Sequence, residues 1–208
     1  MSIRTIIRNK RLVAAASIPV AVVASGALVW QSSYSAFSAT TSNPTNNWTS
    51  GTVALTDNDG GTALFTAANL KPGSTGTKCI VVSSSGSLPS AVKLYGTGYT
   101  STPGTPGKNL GDVITLKVEE GTGATNAACA GFQPDAAPAA TIFNGTLSSF
   151  ASGSTAYASG VGTWTPAGVS TGSESKSYRV TYTLSSTADN GYQNANAAIG
   201  FTWEAQNS

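Results

Sequence analysis

Side chains suited to acid–base, nucleophilic or metal chemistry are scarce in this chain. Its 208 residues include no histidine. A His-Glu-x-x-His zinc site, a Ser/His/Asp triad and a Cys/His nucleophile pair are all excluded by that fact alone. Zinc hydrolysis would have to rest on carboxylates or thiolates. Glu119 and Glu120 are neighbours at the end of a strand pattern, so they point to opposite faces and do not form a simple acid and base couple. The composition argues against an enzyme, and no cofactor is expected.

Two groupings remain. Asp57-Asn58-Asp59-Gly60-Gly61 resembles a fragment of a calcium loop, with Asp57 and Asp59 as the candidate ligands. The distal glutamate of an EF-hand is missing. A β-turn uses Asp, Asn and Gly for side chain–backbone bonds and positive φ, and the turn is the preferred reading. Cys79 and Cys129 are the only cysteines. An even count in an exported chain reads as one disulfide. Closing a loop of about 50 residues stabilises by roughly 4 kcal/mol on a chain-entropy argument. A free thiol or a metal site is the alternative, but no motif accompanies either cysteine.

The N-terminus places these residues in their compartment. Arg4, Arg8, Lys10 and Arg11 precede an uncharged run over 12–30, rich in Ala, Val, Ile and Leu, and then small residues. A basic segment, an apolar segment and a small-residue cleavage zone make a secretory signal peptide, assigned to 1–35. The expected cut is Ser35–Ala36, with a cut after Ser38 as the other candidate. The apolar run exceeds the usual length of roughly 7–15 residues and is long enough to span about 30 Å of bilayer, so an uncleaved anchor is the competing reading. Either way the rest of the chain is expected outside the cell.

About 170 residues remain, enough for one domain with a sizeable core. Of 11 basic residues four lie in the first 11 positions, leaving seven against nine acidic ones. This near-neutral balance offers no basic patch for nucleic acid. Low charge also means weak repulsion between copies.

Short alternating or apolar runs joined by Gly, Pro and Asn turns predict strands over 51–56, 62–65, 79–83, 91–96, 112–119, 161–164, 175–184 and 198–205. The spans 100–109 and 121–140 read as loops, and 146–151 as a short helix covering one end. Seven or eight strands without crossover helices predict an all-β fold, a two-sheet jelly-roll-type β-sandwich over 51–208. Tyr178, Tyr182 and Trp203 read as core. A glycan-binding module would instead show an exposed, coplanar aromatic pair.

Several segments together are similar to a known family. Ala36-Phe37-Ser38, Gly51-Thr52-Val53-Ala54-Leu55, Leu70-Lys71-Pro72-Gly73, Ser85-Gly86-Ser87-Leu88 and Val92-Lys93-Leu94 follow one another in order. Asn190-Gly191-Tyr192-Gln193-Asn194 and Phe201-Thr202-Trp203-Glu204-Ala205-Gln206 complete the set. This ordered set resembles the TasA/camelysin family of exported Gram-positive proteins, while 100–170 and both cysteines depart from it.

The resemblance implies release by a dedicated signal peptidase of the SipW type. It also implies assembly into biofilm-matrix fibres by donation of a freed N-terminal strand to a neighbouring copy. The donor segment is Ala36, Phe37, Ser38, Ala39, Thr40 and Thr41, within an extended stretch over 36–50. Camelysin-type relatives are described as endopeptidases, which the missing histidines oppose here. A monomeric surface adhesin that binds wall or matrix glycans is the alternative function.

Overall fold

Alternation along the chain sorts side chains to two sides of each strand, and the larger sheet shows this most clearly. The computed structural model describes residues 38–42 as backbone and 54–124, 129–169 and 171–207 in full. Cleavage at Ser35–Ala36, the apolar run and donor residues Ala36 and Phe37 lie outside the described residues. Ser38–Ser208 form one compact unit.

All strand pairing in this unit is antiparallel. One sheet holds β2 (Leu55–Asp57), β3 (Thr75–Ser84), β8 (Glu174–Leu184), β5 (Ile114–Thr122) and β6 (Gln133–Pro134) in that order, with β7 (Thr141–Thr146) also on β5. The other sheet holds β1 (Ser38–Ser42), β9 (Asn196–Asn207) and β4 (Ser90–Thr102). Chain order alternates between sheets through β3, β4 and β5 and again through β8 and β9, the nesting of a jelly roll. The all-β two-sheet sandwich expected from the sequence is the observed architecture.

The inward faces carry the apolar periodicity. Ile80 and Val82 of β3, Leu116 and Val118 of β5, and Tyr178, Val180 and Leu184 of β8 are buried, and they meet Val92 and Leu94 of β4 and Trp203 and Ala205 of β9. Tyr95, out of phase with Val92 and Leu94 on β4, points outward and donates to Glu204 at 2.9 Å. Burial, then the Glu204 carboxylate, pushes its phenol up to about 12.

Strand boundaries follow the surroundings more than the local pattern. The stretch 62–65 is not a strand; it packs as irregular chain, with Phe65 edge-on to Tyr182 at 5.1 Å. Around 161–164 only Val161 bridges to Leu94. The rest of that segment runs irregularly along the outer edge of β4, where Val92 N–H donates to the Trp164 carbonyl at 2.9 Å and Ser90 N–H to that of Pro166 at 3.1 Å. It occupies the place where a regular jelly roll has a further strand. Strands β6 and β7 arise instead within or just beyond the span read as loop.

Two short helices lie at one end. Helix α1 (Leu110–Val113) leads directly into β5, and α2 (Leu147–Gly153) begins after Thr146, whose hydroxyl accepts from Ser149 N–H at 3.1 Å. Leu147 and Phe150 share one face of α2. The Phe150 ring is fully buried, 4.9 Å from that of Phe143 and 5.8 Å from that of Phe201. At Gly111 a Cβ would crowd the Tyr99 hydroxyl, so any larger residue there would displace that ring. At the Lys71–Ser74 turn, Pro72 precedes Gly73 at φ 84° and Ser74 N–H returns to the Lys71 carbonyl at 2.8 Å, a type II arrangement.

Phe150 joins α2 to both sheets, so Phe150→Ala is expected to destabilise the unit by about 3–5 kcal/mol in urea unfolding. A loss below about 1 kcal/mol would mean that α2 is not part of the cooperative core.

Candidate functional site

The segment expected to act as a donor is itself a strand of the sandwich. Ser38 lies opposite Gln206, Ala39 opposite Ala205, Thr40 opposite Glu204, Thr41 opposite Trp203 and Ser42 opposite Thr202. Strand β1 thus covers β9 over 202–206. On its other side β9 is paired with β4 from Asn196 to Asn207. Among the described residues no strand covers β9 over 196–201 on the β1 side.

The opposite sheet has a matching gap. Strand β2 covers β3 over Val82–Ser84 and Asn58 Oδ1 accepts from Val81 N–H at 2.9 Å. No described strand lies outside 75–80. Between these two edges a cleft of about 1150 Å³ opens into the core. Leu64, Phe65, Leu116, Ile199, Phe201 and Trp203 are among its lining residues. Trp203 is only 3% exposed, and its Nε1 finds no hydrogen-bond partner among the described residues.

The outer face of the larger sheet is strongly fastened. Cys79 and Cys129 form a disulfide with Cα atoms 5.2 Å apart. It ties the β5–β6 connection across the outer face of the larger sheet. Cys79, Arg179 and Glu119 follow one another across β3, β8 and β5. Glu119 accepts from Arg179 and Lys117, each at 2.8 Å, and the Arg179 guanidinium sits 4.5 Å from the centre of the Phe132 ring. Burial alone would push the Glu119 carboxyl up, but the hydrogen bonds and charges of Lys117 and Arg179 hold it below its usual range.

Glu120 points the other way, as alternation requires. It is fully buried and accepts from Thr163 N–H at 3.1 and 3.2 Å and from Thr163 Oγ1 at 2.5 Å. Burial first, and the Glu120 carboxylate second, push the Tyr178 phenol well above its ordinary value. This link anchors the irregular segment along β4 to the facing sheet. No sequence signal marked it.

The Asp57–Gly61 turn shows the geometry of a turn. Asp59 Oδ1 accepts from Gly61 N–H at 2.7 Å, and Asp57 Oδ1 lies 3.4 Å from Asp59 N–H. Among the described residues no group of three or more metal-ligating side chains is brought together. Tyr178 and Trp203 are core residues with ring centroids 5.4 Å apart and planes tilted by 57°. No described helix is long and apolar enough to cross a membrane. The chain matches no family model and no curated protein.

Two outcomes test the fastened face. The double variant Cys79→Ser/Cys129→Ser is expected to lose about 2–5 kcal/mol in urea unfolding. The Glu119 contribution is present at neutral pH and is lost as pH falls, starting near the unfolded value of about 4.3 and finishing below the lowered folded value. Glu119→Gln should flatten that part of the stability–pH profile, and an unchanged acid limb would refute the assignment.

Proposed function

We propose that this chain is a secreted structural protein of the cell surface or extracellular matrix, without catalytic activity, that associates with copies of itself through β1. The observation that carries this reading is the pairing of the N-terminal strand β1 with β9. A short N-terminal strand pairs along one edge of β9 beside an apolar cleft. An extended segment of another molecule can complete such an edge by strand addition. The same strand, in the same register, can be accepted from a neighbouring copy instead of from its own chain.

Other features support the proposal. The disulfide suits an oxidising compartment, and the N-terminal basic and apolar segments suit export. The absence of histidine and the engagement of Glu119 and Glu120 in structural contacts favour a non-enzymatic role. Similarity of the segments at 36–38, 51–55 and 190–206 to the TasA/camelysin pattern points to fibre formation in a biofilm matrix. A heterologous contact of this kind propagates into an open chain unless its rotation closes a ring.

The test compares protein beginning at Ala36 with protein beginning at Ser50, by size-exclusion chromatography and electron microscopy over a range of salt and pH. Filaments or large oligomers are expected from the longer form only. Monomers from both would overturn self-association and direct attention to wall glycans as the ligand.

A further inference from the structure

At the end of the sandwich where β5 meets β6, acidic and phenolic side chains gather inside the fold. The β5–β6 ladder sets Gly121 opposite Pro134, and Asp135 N–H donates to the Glu120 carbonyl at 3.0 Å, which places Asp135 beside Glu120. Glu120 in turn lies opposite Tyr178, with the phenol hydrogen-bonded to its carboxylate. Lys176 precedes Tyr178 by two positions, so it leaves β8 on the same face. Its Nζ is 2.9 Å from Asp135 Oδ2, and the two side chains are only 16% and 25% exposed. Among the described residues no lysine or arginine forms an ion pair with Glu120.

We propose that Lys176 and Asp135 condense into a side-chain amide that joins β8 covalently to the segment after β6. A proton passes from Nζ to Asp135 Oδ2, and the freed nitrogen lone pair attacks Cγ. The Cγ–Oδ2 bond then breaks, and the hydroxyl leaves with a second Nζ proton as water. The step needs no oxidant, reductant or co-reactant.

Two physical effects favour it. Well-oriented groups in one molecule react with effective molarities of about 10⁵–10⁸ M. Condensation also removes two charges that are held largely away from water, where each carries a desolvation penalty. The amide would complement the disulfide. Cys129 ties the β5–β6 connection to β3, and Asp135 would tie its far side to β8.

The experiment is intact-mass measurement of the purified chain after reduction and denaturation, followed by tryptic mapping. The expected mass is that of the sequence less one water. Trypsin should fail to cut after Lys176, and fragmentation should locate the link between Lys176 and Asp135. Lys176→Arg should restore the full mass, which separates the amide from a cyclic imide at Asp59-Gly60 that would persist in that variant. Full mass in the unaltered chain, or a water loss that survives Lys176→Arg, would overturn the proposal.

Discussion

The edge of β9 is the constraint on which the smaller sheet depends. With β4 on one side and β1 on the other, β9 joins them at the centre of the sheet. It also delivers Trp203 and Ala205 to the core. Backbone groups at a strand edge need partners, and β1 supplies them where Thr202 to Gln206 are paired. Cover of that edge and closure of the core are therefore one problem.

The remainder of the unit is tied together by a small number of polar links. Glu119 and Glu120 are adjacent, yet one fastens the outer face and the other the interior. Glu119 gathers Lys117 and Arg179, and Arg179 stacks on Phe132 from the connection that the disulfide also holds. Glu120 crosses the sandwich to Thr163. In a chain with few charges, those that are buried join irregular segments to strands. Such contacts fix position even where their net energy is modest.

The parts legible from sequence were those set by local alternation. Tyr178, Val180 and Leu184, or Ile114, Leu116 and Val118, show their inward face with a period of two. The cysteine pair was legible from count and compartment. What stayed hidden was set by partners remote in sequence. The stretch 62–65 reads like a strand but packs beside Tyr182 without a ladder. Ile142 and Phe143 lie next to a span rich in Pro and Gly and gain strand character only from β5. The Thr/Ser-rich β1 carries no apolar period, and β9 determines its state. Thr163, which holds Glu120, is 43 residues away.

The register of β1 has a mechanical consequence. Ser38 lies opposite Gln206, so the strand's first residue and the chain's C-terminal end emerge side by side from one antiparallel pair. Tension applied between them would load the hydrogen-bonded rungs in succession, as in opening a zipper, and not all together as in sliding. The Cys79–Cys129 bridge lies outside that path and would bear none of the initial load. Under a pull on the chain's two ends, β1 is the strand that would come away first, while the disulfide-fastened sheet stays closed.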